Sequence, residues 1–127
     1  MARILVIDDH GDFRDTLNAM LSSADHEVKC GRNGREALEI LGSEAFDLLV
    51  LDVLMPEVDG IEVLRAIEAL PLRPQVVAIS GGGIVPASLA LSLASALGAS
   101  AVLFKPFYRQ ELIDAVDNAL KSERVLH

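Results

Sequence analysis

The sequence contains one cysteine, one tyrosine and no tryptophan among its 127 residues. A lone Cys30 cannot form a disulfide within the chain, which favours a reducing, cytoplasmic setting. So few aromatic rings argue against a platform on which nucleic-acid bases could stack. The length is sufficient for one domain that buries its own hydrophobic core without disulfides.

Basic side chains are also scarce, because 11 Lys and Arg stand against 19 Asp and Glu, giving a formal net charge of −8. A chain this acidic lacks the clustered cations that neutralise phosphates, so we expect no direct contact with nucleic acid or with an anionic membrane surface. Residues 74–104 carry no charged side chain at all. Glycines, prolines and serines interrupt that stretch, so it is not predicted to span a membrane.

Short apolar runs alternate five times with longer amphipathic segments. The runs, which predict strands, cover residues 4–7, 26–30, 46–51, 75–79 and 101–104. Asn33 is a predicted cap of the second helix, and Gly98 is a predicted cap of the fourth. Strands separated by helices pair in parallel through right-handed crossovers, with helices covering both faces of the sheet. The sequence therefore predicts a three-layer α/β sandwich.

The fourth predicted helix begins near Pro86 and lies within the uncharged stretch. Its spacing predicts one inward apolar face, made of Leu89, Leu93, Ala96 and Leu97. Leu91 lies about 160–200° around the helix from Leu89 and Leu93, at about 100° per residue, so we expect it to face outward.

Polar side chains follow four of the predicted strands at their carboxyl ends. In strand order, they are Asp8 with Asp9, Asp52, Ser80 and Lys105. Ligands of such parallel sheets bind beyond the carboxyl ends of the strands. Three crowded carboxylates stay ionised only with a cation among them, and hard oxygen ligands suit Mg²⁺. A hydroxyl and an ammonium group then complete a site of the size of a phosphate.

At these residues the sequence resembles the receiver domain of two-component response regulators. The matching segments, in family order, are Asp8-Asp9, Asp52 with Met55-Pro56 and Asp59-Gly60, Ser80, and Lys105-Pro106-Phe107. The resemblance implies a flavodoxin-like, doubly wound (βα)5 fold with a five-stranded parallel sheet in the order 2-1-3-4-5. Since the chain ends soon after the fifth predicted helix, we expect one receiver domain over residues 1–127 and no output domain.

The resemblance also implies a reaction at Asp52. This carboxylate would accept a phosphoryl group from a phosphohistidine of a histidine kinase or histidine phosphotransfer protein. Asp9 and Asp52 would hold Mg²⁺ directly, and Asp8 would do so partly through water. The backbone carbonyl of Leu54 would be a further ligand.

Other residues would contact the phosphoryl oxygens, again by resemblance. Lys105 would pair with them, Ser80 would donate a hydrogen bond to one of them, and the backbone N–H groups of Val53 and Gly81 would add two more donors. The Lys105-Pro106 bond is cis in the family, which would aim the lysine into the site.

The sequence differs from the family at Val102, a position that takes part in transmitting phosphorylation to a partner. Receivers typically carry an aromatic residue at this position, three before the lysine, and couple it to the hydroxyl after the fourth strand. In the family, the face of the fourth helix, fifth strand and fifth helix binds partners or a second copy. With Leu91 directed outward, we expect that face to bind a downstream protein or to form a homodimer.

Four alternatives remain open from the sequence. The chain could be a receiver fragment of a larger response regulator or hybrid histidine kinase, or a receiver-like interaction module that is never phosphorylated. A flavodoxin-like cofactor binder is disfavoured because Asp8-Asp9 would repel a phosphate, and an aspartyl-phosphate hydrolase would carry a second Asp where Leu54 stands. His10 invites a metal-ligand hypothesis, but without a spaced Cys or His partner it is predicted to start a helix at the rim.

The phosphorylated form is predicted to lose its phosphate slowly. Leu54 and Gly82, two positions beyond Asp52 and Ser80, would flank the path of an attacking water, and neither carries a polar group to orient it. Leu54→Asn should therefore shorten the half-life of the phosphoprotein, measured as loss of phosphate in Mg²⁺. A half-life of seconds in the wild-type chain would contradict the prediction.

Overall fold

Five parallel strands form the sheet on which the helices pack. In the computed structural model, which describes residues 1–52, 60–80, 92, 95–96 and 98–121, they are β1 (Arg3–Ile7), β2 (Glu27–Gly31), β3 (Leu48–Asp52), β4 (Gln75–Ser80) and β5 (Ala101–Phe104). Their order across the sheet is β2-β1-β3-β4-β5, and every neighbouring pair is parallel. The predicted fold class and strand order are confirmed.

Four helices are described in full. They are α1 (Gly11–Ser23), α2 (Gly34–Ser43), α3 (Gly60–Ile67) and α4 (Arg109–Lys121), the last being the fifth helix of the sequence prediction. Among the residues described, none of these helices is long and apolar enough to cross a membrane.

Residues 92, 95 and 96 are helical and belong to the fourth predicted helix. The rest of that helix, including Leu91, lies outside the described residues. Ala96 is exposed, so its predicted place on the inward face is wrong. It lies only about 40° around the helix from the exposed Ser92, and a single methyl group has little apolar surface to remove from water.

Both predicted caps are confirmed. The Asn33 side chain accepts a hydrogen bond from the backbone N–H of Glu36, at 2.9 Å, and so satisfies one of the free donors of the first turn of α2. Gly98 has φ 87°, a left-handed conformation that favours glycine, and its N–H donates to the carbonyl of Ser95 at 3.1 Å.

The core lies in two layers, one on each face of the sheet. One layer joins the sheet to α2 and α3 and includes Leu49 and Leu64, whereas the other joins it to α1 and α4 and includes Val50 and Leu112. Successive residues of a strand point to opposite faces, so the central strand β3 is buried along its whole length. Two apolar layers thus hold the strands in fixed register.

Arg3 ties the amino edge of the sheet together. Its guanidinium donates to Glu27 at 2.8 Å, to Glu44 at 2.8 Å and to the Ala45 carbonyl at 2.6 Å, and it lies 4.8 Å from the centre of the Phe46 ring. The hydrogen bond to Glu44 is the main cause of the raised pKa of Arg3. Two parallel strands and the segment that precedes β3 are therefore joined at this edge.

Removing the Leu49 side chain should destabilise the fold strongly. It is fully buried in β3, so Leu49→Ala should lower the free energy of unfolding by about 2–5 kcal/mol through lost burial and a residual cavity. Leu38→Ala is the control, because Leu38 is 37% exposed. Urea denaturation measures both, and equal losses for the two variants would contradict this view of the core.

Candidate functional site

The carboxyl ends of the strands bring the predicted polar residues to one edge of the sheet. Asp8 directly follows β1 and Asp52 ends β3, and these strands pair side by side with Ile7 opposite Leu51. Ser80 ends β4, and its carbonyl accepts a hydrogen bond from the backbone N–H of Lys105 at 2.9 Å. The third and fourth predicted strands each extend to their polar residue, so Asp52 and Ser80 belong to the sheet.

Three carboxylates meet at this edge, and two of them are almost fully buried. Asp8 is 1% exposed and Asp52 is 5% exposed. The site has four possible metal ligands, one atom from each of Asp8, Asp9, His10 and Asp52. These four atoms lie within 4.8 Å of one another. Buried like charges at such distances repel strongly, so this arrangement calls for a nearby cation.

Lys105 supplies one positive charge to two of the carboxylates. Its Nζ lies 3.3 Å from Asp8 Oδ2 and 3.7 Å from Asp52 Oδ2. The other oxygen of Asp8, Oδ1, accepts the backbone N–H of His10 at 2.8 Å. Both oxygens of Asp8 therefore have partners within the protein, and one ammonium group faces two buried carboxylates.

Two buried polar atoms at this edge have no hydrogen-bond partner among the described residues. They are Asp9 Oδ1 and Ser80 Oγ. A buried polar atom without a partner costs about 1–3 kcal/mol, so such atoms in a native fold call for an explanation. An unpartnered carboxylate oxygen beside two further carboxylates fits a hard divalent cation, and an unpartnered hydroxyl is able to donate to an anionic ligand.

Aromatic rings position the lysine, a feature that the sequence analysis missed. Lys105 Nζ lies 4.1 Å from the centre of the Phe13 ring, within the range of a cation–π contact. Phe13 in turn meets Phe107 edge to face, with ring centres 5.7 Å apart. The sequence carries no local signal for this contact, because more than ninety residues separate Phe13 from Lys105.

The remaining predicted residues fall into two groups. The Lys105-Pro106 peptide bond is cis, and Val102 is half-buried against the core layer of α2 and α3. Val53, Leu54, Gly81 and Leu91 lie outside the described residues. His10 begins α1 as predicted, as its N-cap residue, but its ring also lies among the carboxylates.

Comparison with known proteins identifies the family. The family model for the response regulator receiver domain matches residues 4–117. The chain belongs to the receiver-domain family of response regulators. This membership accounts for the order of the polar strand ends and favours the receiver over a flavin-binding protein or a hydrolase on a similar fold.

Curated relatives of this receiver differ in length. The transcriptional regulatory protein CpxR homolog of Haemophilus influenzae is 33% identical over 121 residues, which are 95% of this chain and 51% of that protein. The response regulator receiver protein CpdR of Brucella abortus is 36% identical over 121 residues, which are 94% of this chain and 98% of that protein. The chain thus spans about half of some relatives and nearly all of another.

Solved receiver structures share the fold. A putative response regulator from Chloroflexus aurantiacus superposes with a TM-score of 0.86 at 29% identity, covering 95% of this chain and 98% of that chain. The chemotaxis response regulator CheY4 of Vibrio cholerae gives a TM-score of 0.82 at 27% identity, covering 94% and 98%.

The carboxylate cluster predicts that a divalent cation stabilises the protein. Mg²⁺ at about 10–100 times its dissociation constant should raise the free energy of unfolding by about 1.4–2.7 kcal/mol. Asp9→Asn should abolish most of this gain, because it replaces the carboxylate that carries the buried Oδ1 with a neutral amide. Thermal denaturation with Mg²⁺ and with a chelator measures the effect.

The control for this prediction is Asp15→Asn, which changes an exposed acid on α1, the helix that follows Asp9. It should respond to Mg²⁺ as the wild type does. Equal Mg²⁺ stabilisation of the Asp9 variant would show that the cation does not use this cluster.

Proposed function

We propose that this receiver is a phosphoacceptor of a two-component system or phosphorelay. Asp52 takes a phosphoryl group from a phosphohistidine of a histidine kinase or histidine phosphotransfer protein, in a reaction that requires Mg²⁺. The observation that carries the proposal is the placement of Asp52, buried at the end of β3 with an ammonium group 3.7 Å from its Oδ2.

Asp52 is the nucleophile in this reaction. One of its carboxylate oxygens forms a bond to phosphorus as the bond between phosphorus and the histidine nitrogen breaks. The ring nitrogen keeps the electron pair of that bond and takes a proton from solvent, and Asp52 becomes an acyl phosphate. Such a transfer depends on in-line positioning and on neutralising charge at the phosphoryl oxygens.

Lys105 and Ser80 would supply that neutralisation. The Lys105 ammonium group already lies near both Asp8 and Asp52. The side chain of Lys105 is 21% exposed, so it is accessible from the edge of the sheet. Ser80 Oγ, buried and without a partner among the described residues, is free to donate a hydrogen bond to a phosphoryl oxygen. The backbone N–H groups of Val53 and Gly81 are proposed as further donors.

Asp9 and Asp52 would hold Mg²⁺ directly, with the Leu54 carbonyl as a further ligand. Both oxygens of Asp8 have partners in the protein, which supports a more distant role for this carboxylate, partly through water. When bound, Mg²⁺ supplies positive charge that neutralises the carboxylates and the transferring group. The fit rests on the buried Asp9 Oδ1, which accepts no hydrogen bond in the described part of the chain and has the His10 imidazole 3.1 Å away.

A cleft beside the carboxylates would admit the donor. Its volume is about 880 Å³, and its lining includes Asp9, His10, Phe13, Lys105 and Pro106. A space of this size accepts a phosphorylated imidazole together with part of the partner surface. An open cleft suits transfer from a second protein better than chemistry on an enclosed substrate.

The consequence of phosphorylation is proposed to be a change in partner binding. The face of the fourth predicted helix, β5 and α4 would bind a downstream target or a second copy, with Leu91 at its surface. We propose a single receiver over residues 1–127 that works in the cytoplasm and catalyses only its own phosphorylation and slow dephosphorylation. Val102 lacks the ring of the usual aromatic switch, so the signal would take another route to this face.

Phosphorylation by a small phosphodonor tests the proposal. Incubation with acetyl phosphate and Mg²⁺ should add one phosphoryl group to the intact protein, as measured by mass spectrometry, and a chelator should prevent the addition. Asp52→Asn should add none, because it lacks the nucleophilic carboxylate. Asp117→Asn, an exposed acid on α4, is the matched control and should be phosphorylated normally. A wild-type chain that gains no phosphoryl group would support the interaction-module alternative instead.

A further inference from the structure

His10 places an imidazole beside the carboxylate cluster. Its Nδ1 lies 3.1 Å from Asp9 Oδ1 and 3.5 Å from Asp8 Oδ1. One of its ring nitrogens also lies within 4.8 Å of the ligand atoms of all three carboxylates, Asp52 included. Most of the side chain is exposed, at 71%, so the ring stands at the mouth of the site rather than in the core.

The His10 imidazole lies next to a buried oxygen of Asp9. Asp9 Oδ1 is buried and accepts no hydrogen bond from the described residues, and the imidazole nitrogen lies 3.1 Å away, within ion-pair distance of the carboxylate. Two adjacent ligands of an octahedral ion, each about 2.1 Å from the metal, are separated by about 3.0 Å. The spacing of Nδ1 and Oδ1 therefore matches a pair of ligands that share one ion.

Backbone hydrogen bonds hold His10 in this position. The N–H of His10 donates to Asp8 Oδ1 at 2.8 Å, and its carbonyl accepts the N–H of Arg14 at 2.9 Å as α1 begins. The Arg14 guanidinium also donates to the Asp8 carbonyl at 2.8 Å. These contacts keep the first turn of α1 against the carboxylates, so ligation by His10 needs little rearrangement.

We propose that an imidazole nitrogen of His10 is an additional ligand of the divalent-cation site. Imidazole nitrogen suits transition metals such as Fe²⁺, Ni²⁺ and Zn²⁺, whereas Mg²⁺ prefers oxygen ligands. His10 would therefore shift the selectivity of this site toward transition metals. The inference rests on the metal site of the proposed function and adds a residue that sets which ion that site selects.

Spectroscopy of bound Mn²⁺ tests the ligation directly. Pulsed electron paramagnetic resonance of the Mn²⁺-loaded chain should show the hyperfine coupling of a directly bound ¹⁴N nucleus, and His10→Gln should abolish it. The control is His127→Gln, which should retain the coupling. Bound Mn²⁺ without nitrogen coupling, or a coupling that persists in His10→Gln, would overturn the inference.

Metal affinity gives a second readout. His10→Gln should weaken Zn²⁺ binding about tenfold or more, at least as much as the loss of a group that only supports a metal ligand, and should change Mg²⁺ binding much less. An unchanged ratio of Zn²⁺ to Mg²⁺ affinity would overturn the role in selectivity. Failure of both ions to bind the wild-type chain, or binding unaffected by Asp9→Asn, would overturn the underlying metal site as well.

Discussion

The repulsion between buried carboxylates at one edge of the sheet is the constraint on which the rest of the structure depends. Asp8 and Asp52 are almost fully buried on neighbouring strands, and one ammonium group, that of Lys105, is shared between them. A shared cation offsets part of the repulsion, and among the described residues three carboxylates face this one ammonium group. This arrangement suits a divalent ion, and in the proposed function the ion and Lys105 together would supply the positive charge that meets the phosphoryl group.

The apolar layers hold these groups together against their repulsion. Each face of β3 packs into a separate core layer, so Asp52 cannot move outward without disturbing the centre of the sheet. Parallel pairing ends all strands at the same edge, which brings residues as far apart as Asp8 and Lys105 into contact. Burial of hydrocarbon thus stabilises an arrangement that the charged groups alone would not adopt.

Much of the fold and the site could be predicted from the sequence, because both leave local signals. Apolar runs identified the strands, and the polar residues that end them identified Asp8, Asp52 and Lys105. Strand limits were less predictable, since pairing with β4 extends β3 to include Asp52. The ring of Phe13 under Lys105 and the approach of His10 to Asp9 arise from tertiary packing and have no counterpart in sequence spacing. Ala96 was misplaced because an alanine on a helix fits an apolar face and an exposed one equally well.

Arg3 lies at the edge of the sheet opposite the functional edge. Arg3 joins the amino ends of the strands through Glu27 and Glu44, and its described contacts include none of the carboxylates of the functional edge. The contacts that join the strand starts and the carboxylates of the functional edge therefore lie at different ends of the same strands. A substitution of Arg3 is therefore expected to leave the arrangement of the carboxylates at the other edge unchanged.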